Sequence, residues 1–182
     1  MEHVFISYSF KDKNTANQIC QYLEQYKIPC WIAPRDILPS SDYGKSIIEA
    51  IKGSRILILI YTKNVNSSEF VKREVERAVA YGKAIIPIKV ENELPSDSLD
   101  FYLSTSQWLE ATSPPLNKHF IEIANAVKSI YHNTLFRLEI EKEEFKEKEN
   151  VNFFNNNSPT EWHKTNNRFY NFFNNLFEDK TK

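Results

Sequence analysis

The sequence predicts an α/β fold: an open, mainly parallel five-stranded sheet with helices on both faces, followed by a C-terminal helical extension. Short apolar runs alternate with segments whose apolar residues recur every three or four positions, and right-handed crossovers between parallel strands place such helices on both faces of one sheet. One run, Ile56-Leu57-Ile58-Leu59-Ile60, is apolar without interruption, as a strand covered on both faces must be. A chain of 182 residues holds one well-filled core plus an appendage.

Val4-Phe5-Ile6 forms the first strand, and Ala16, Ile19, Cys20 and Leu23 then share one helix face, with Asp12 or Asn14 available as its cap. Cys30-Trp31-Ile32 is the second strand, and Trp31 is read as a core residue within it. Pro34 and Pro39 exclude both a helix interior and a central strand from Ala33 to Ser41, so this stretch is a loop. Tyr43, Ile47, Ala50 and Ile51 rebuild a helical stripe ahead of the apolar third strand. After a polar loop from Thr62 to Ser68, Val71, Val75, Ala78 and Val79 mark a third helix that ends near Gly82. The fourth strand is Ile85 to Val90, where Pro87 implies an irregular or exposed backbone position. Ser106-Gln107-Trp108-Leu109 is assigned as the fifth strand, and Phe120, Ile123, Ala124, Val127, Ile130 and Tyr131 as the last helix of a domain spanning residues 1–132.

Beyond about Asn133 the composition changes. Leu135 to Glu149 is dense in mixed charge, with Glu144 and Lys148 placed as an i,i+4 pair on an exposed helix. An asparagine-rich break follows, and then aromatics from Trp162 to Phe177 that an amphipathic helix would have to bury against the domain or a partner. Residues 133–182 are therefore expected to form a helical extension.

Bulk properties exclude several function classes. The net charge of -1, from 23 bases and 24 acids, provides no overall basic field for nucleic acid or an anionic membrane. Cys20 and Cys30 are too few for a disulfide framework or a thiolate metal site, and they read as reduced core thiols. The first residues carry neither a basic n-region nor an apolar h-region, and the longest apolar run falls far short of a membrane span, so a cytoplasmic protein is expected. Three glycines, Gly44, Gly53 and Gly82, cannot build a Rossmann fingerprint, and Gly44-Lys45-Ser46 lacks the preceding strand and first glycine of a P-loop. His3, His119, His132 and His163 show no paired ligand spacing, so no metal site is expected.

Three segments, in this order and spacing, resemble the TIR domain family over residues 1–132. His3-Val4-Phe5-Ile6-Ser7-Tyr8-Ser9 resembles its opening strand. Trp31-Ile32-Ala33-Pro34-Arg35-Asp36-Ile37-Leu38-Pro39 resembles the strand and loop of its bacterial members, which usually carry glycine where Ser40 stands here. Ser68-Glu69-Phe70-Val71-Lys72-Arg73-Glu74 resembles the helix that carries the catalytic glutamate of its enzymatic members. The resemblance implies a flavodoxin-like sheet and, in the enzymatic branch, cleavage of the nicotinamide–ribose bond of NAD. NAD is then the substrate, and no cofactor is expected. The product would be ADP-ribose or a cyclised or conjugated signalling nucleotide. Short bacterial members of this kind serve as sensors in anti-phage systems such as Thoeris, which implies a phage-derived activator and a product-sensing effector protein. The other branch consists of adaptors that only associate with further TIR domains, and self-association is expected in either case.

The chemistry explains why one carboxylate suffices. Breaking an N-ribosidic bond develops oxocarbenium character on the sugar, so a carboxylate beside it stabilises the transition state more than the ground state. Cationic nicotinamide leaves as a neutral base and needs no acid. Helical spacing sets Glu74 beside Val71 and Ala78, at the border of the apolar stripe, with Phe70 one turn earlier. Without the resemblance Glu74 reads as the edge of a solvated face; with it, Glu74 is the catalytic candidate and Phe70 a ring to pack on nicotinamide. Ser7, Tyr8, Ser9 and Phe10 fall at the end of the first strand, where such sheets bind ligands, or else form a plain turn and cap. Arg35 and Asp36 either meet the pyrophosphate or form a local ion pair or assembly contact.

Overall fold

The structure, a computed structural model, describes residues 3–132. The expected exposed helix, asparagine-rich break and aromatic segment lie outside the described residues. Five strands pair throughout in parallel: β1 (His3–Tyr8), β2 (Cys30–Ile32), β3 (Ser54–Tyr61), β4 (Ala84–Lys89) and β5 (Leu109–Glu110). Their spatial order, β2-β1-β3-β4-β5, is the flavodoxin-like doubly wound order, which reverses direction at β1 and leaves a crevice at the carboxyl ends of the strands there.

Side-chain alternation sorts the core into two layers. On one face Val4, Ile6, Ile56, Ile58 and Ile60 meet Ala16, Ile19, Cys20 and Leu23 of α1 (Lys13–Gln25), together with Ile123, Ala124 and Val127 of α5 (residues 120–132). On the other, Phe5, Leu57 and Leu59 meet Ile47 and Ile51 of α2 (Tyr43–Gly53), Val71, Val75 and Ala78 of α3 (Glu69–Ala80), and Leu99 and Leu103 of α4 (Asp97–Leu103). The uninterrupted run of β3 thus serves both layers at once. Trp31 stacks on Phe5 with ring centroids 5.1 Å apart.

Four local features differ from the sequence reading or complete it. Helix α4 is additional, because its seven residues present only Leu99 and Leu103 to the core and offer no periodic pattern. Strand β5 is two residues long and begins at Leu109 rather than Ser106; Trp108 instead sets its ring edge-on to Tyr61, 5.0 Å between centroids. Asp12 is the N-cap residue of α1 but does not cap it with its side chain; its carboxylate accepts from Thr62 Oγ1 at 2.6 Å and Asn64 Nδ2 at 2.9 Å, joining α1 to the loop after β3. Pro87 lies inside β4, paired with Leu59 of β3. Val90 N donates to Tyr61 on β3 and Lys89 O accepts from Ala111 beyond β5, so alternate residues face alternate neighbours. Pro87 therefore turns its missing N–H toward β5, one residue before that pairing starts at Ile88, and no ladder bond is lost.

Candidate active site

Helix α3 is placed by its own ends and stripe. Ser68 caps it, its hydroxyl accepting from Val71 N at 3.4 Å, and Val71, Val75 and Ala78 anchor it to the sheet. Glu74 sits at the edge of that stripe, where the helix crosses the carboxyl end of β1. Ser7 occupies a position on β1 that alternates with Phe5 toward α3, and it is 1% exposed. A hydroxyl in so apolar a layer needs a partner. Ser7 Oγ donates to Glu74 Oε2 at 2.6 Å.

Glu74 opens onto a cleft of about 380 Å³. Its floor is the end of β1, with Ile6 and Tyr8; one wall is the β2–α2 loop at Ala33 and Pro34, and the other is the start of α3 at Ser68 and Phe70. Phe10, 75% exposed, Phe70, 66% exposed, and Tyr43, 49% exposed, hold aromatic rings at the rim, where solvent gains nothing from them and a planar ligand would. Tyr8 Oη donates to Ala33 O at 2.6 Å and so ties the β2–α2 loop to β1.

Enclosure dominates the electrostatics of the site. Glu74 is half-buried over its surface, yet its carboxyl is closely surrounded by protein atoms, and burial pushes its pKa up to about 7 against the opposing pull of the Ser7 hydrogen bond. The Tyr8 and Tyr43 hydroxyls are also raised, first by burial and then by neighbouring acidic groups that include the Glu74 carboxylate. Among the described residues no cation pairs with Glu74, and no group of His, Cys, Asp and Glu side chains could hold a metal ion. A carboxyl in a cleft whose pKa lies near 7, with no counter-ion among the described residues, can gain or lose its proton close to neutral pH.

The structure brings Ser7, Tyr8, Phe10, Phe70 and Glu74 together at this one place. Arg35 and Asp36 do not line the cleft. The Arg35 guanidinium is held by Glu24 at 2.8 and 3.0 Å and by Asp36 at 2.8 and 2.9 Å, while Asp36 also accepts from Ile32 N at 2.8 Å. Of the two roles open to this pair, the local ion pair is the one present; the guanidinium is turned to protein carboxylates. Ser9 is buried and precedes the short 3-10 turn Phe10–Asp12. Sequence reasoning did not single out Tyr43, Ala33, Pro34 or Ser68 as lining residues. Tyr43 reads as the first member of the α2 stripe, and no local signal separates a ring that packs inward from one that turns over a cleft.

The family model described as the TIR domain matches residues 4–123, about two thirds of the chain. The chain belongs to the TIR domain family. Solved structures agree in fold. The TIR domain of the Toll-related receptor TRR-2 from Hydra magnipapillata is 20% identical with a TM-score of 0.59, over 72% of this chain and 99% of that one. The TIR domains of the activated Roq1 resistosome, 12% identical, give 0.59 over 70% and 99%. A metazoan TIR-STING receptor from C. gigas, 22% identical, gives 0.54 over 70% of this chain and 40% of that one. A search of curated proteins finds no match. No helix among the described residues of this TIR domain is long and apolar enough to cross a membrane.

Proposed function

We propose that this TIR domain cleaves the nicotinamide–ribose bond of NAD, with Glu74 as the carboxylate that faces the developing ribosyl cation. The observation that carries the reading is the hydrogen-bonded, counter-ion-free Glu74 carboxyl in an aromatic-rimmed cleft at the strand ends. NAD brings the missing positive charge on its nicotinamide ring. Phe10, Tyr43 and Phe70 offer faces for that ring, and the cation favours the ionised form of Glu74 on binding. As the bond to the ring nitrogen breaks, its electron pair stays with nicotinamide and the positive charge moves to the ribosyl carbon. Glu74, held by Ser7, then opposes that charge more strongly than it did in the ground state. An acceptor completes the reaction at that carbon: water would release ADP-ribose, and an internal or foreign nucleophile would yield a cyclic or conjugated signalling nucleotide. A role in anti-phage signalling, in which a phage component triggers the enzyme and an effector reads the product, is the setting proposed with it.

The test is nicotinamide release from NAD by the purified chain, with the Glu74→Gln variant alongside. Wild type should release nicotinamide and the variant should lose about 10²–10³ in rate. Comparable turnover by both would remove Glu74 from the mechanism, and mass spectrometry of the product identifies the acceptor.

A second reading is a scaffold that acts through association with other TIR domains. Phe101, 78% exposed on α4, and Leu94, 76% exposed ahead of that helix, favour this reading as exposed apolar side chains that do not line the cleft. Sedimentation of the Phe101→Glu variant beside the NAD assay distinguishes it: assembly of wild type that the variant loses, with no nicotinamide release by either, supports the scaffold.

A further inference from the structure

A second groove of about 250 Å³ runs between α2 and α3 and meets the first cleft at Glu74, Tyr43 and Phe70, which line both. Ile47, Ile48 and Ile51 of α2 form one side; Arg73 and Arg77, one turn apart on α3, stand on the other. Helix α3 pairs its other cation locally, Lys72 with Glu69 at 3.0 Å, and on α2 Lys52 pairs with Glu49 at 3.3 Å. Arg73 and Arg77 have no such partner among the described residues; Glu76 also lines the groove but makes no ion pair with either. Two like charges at i,i+4 repel, and a bound anion would relieve that repulsion.

Substrate geometry points the same way. The diphosphate of NAD hangs from the ribose whose anomeric carbon must meet Glu74, so it leaves that carboxylate within a few bonds. Arg77 lies three residues, or about 5 Å of helix rise, beyond Glu74. A planar guanidinium suits phosphate oxygens in two-pronged contact, and the isoleucine wall opposite suits an apolar base face.

We propose that the α2–α3 groove binds the diphosphate end of the dinucleotide, with Arg73 and Arg77 as its cationic wall, while the nicotinamide end occupies the first cleft. The proposal deepens the NAD reading and assigns a site by a charge requirement separate from catalysis. Its measurement is calorimetric titration of ADP-ribose, which carries the diphosphate but no nicotinamide, into the full chain, the R73A/R77A variant and the R73K/R77K variant, with melting curves for each. Wild type should bind, the alanine pair should bind at least tenfold more weakly with an unchanged melting temperature, and the lysine pair should recover part of the loss. In steady state the alanine pair should raise KM for NAD about tenfold with kcat within threefold. Equal ADP-ribose affinity in wild type and alanine pair, or no binding by wild type, overturns the proposal. So does a change of oligomeric state in the alanine pair without a change in ADP-ribose affinity, which would make the groove a contact between copies of this chain. Arginine-dependent ADP-ribose binding by a wild type that does not cleave NAD would uphold the groove and refute the NAD-cleavage reading, so the two fail separately.

Discussion

At Glu74 the enclosure that suits the proposed catalysis also opposes folding. The carboxyl titrates near 7 in the folded chain and near its ordinary 4.5 when unfolded. Between those values the unfolded state has lost the proton and the folded state keeps it, so stability falls as pH rises through the window, by roughly 3 kcal/mol when complete. Glu74→Gln has no such titration. Its stability relative to wild type should therefore rise between about pH 4.5 and 7 and stay high above, which denaturant midpoints at pH 5 and pH 8 would measure; a pH-independent difference would show that the carboxyl is not desolvated. Ser7 supplies the complementary test. Its hydroxyl stabilises the ionised carboxylate, so Ser7→Ala should move the acid limb of kcat/KM upward by about one pH unit, whereas a residue that merely fills space would lower activity evenly across pH.

Among elements, the helix ends show how unlike residues meet one backbone requirement. Helix α1 closes with Ile28 N donating to Leu23 O and Lys27 N to Glu24 O; α3 closes with Lys83 N donating to Ala78 O and Gly82 N to Val79 O. These are matching Schellman ends, and the residue after each cap is left-handed, with φ of 64° at Lys27 and 62° at Gly82. Glycine adopts that backbone at little cost and lysine does not. Lys27→Gly should raise stability by up to about 1 kcal/mol, and Gly82→Ala should lower it by about 1 kcal/mol, both read from chemical denaturation. Ser40 poses a related case in the β2–α2 loop: its φ of 66° is a conformation that glycine would take freely. The chain thus keeps a left-handed backbone at this position without glycine.

For the whole molecule, the buried core residues among the described ones run from Val4 to Val127 in both layers. A domain whose apolar layers close within that span should fold on its own, so residues 1–132 expressed alone should melt in one cooperative transition. A broad, non-cooperative melt would show that residues 133–182 complete the core.

Periodicity alone specified most of this architecture. Apolar runs and helical stripes report burial directly, because one side of each element must leave water, and so α1, α2, α3, α5 and strands β1 to β4 were legible from Val4 onward. Short elements escaped: α4 has two core residues and β5 two residues in all, too few to repeat a period. The site divides along the same line. Motif resemblance singled out Glu74 and Phe70, and position at a strand end singled out Ser7, Tyr8 and Phe10, but a linear pattern carries no distances. That Ser7 reaches Glu74 across 67 positions, that Tyr43 turns over the same cleft, and that Arg35 is held by Glu24 and Asp36 depend on which strand ends and helix starts the sheet order sets side by side. The raised pKa of Glu74 is likewise a property of assembled surroundings, since desolvation exists only once distant segments have closed around the carboxyl.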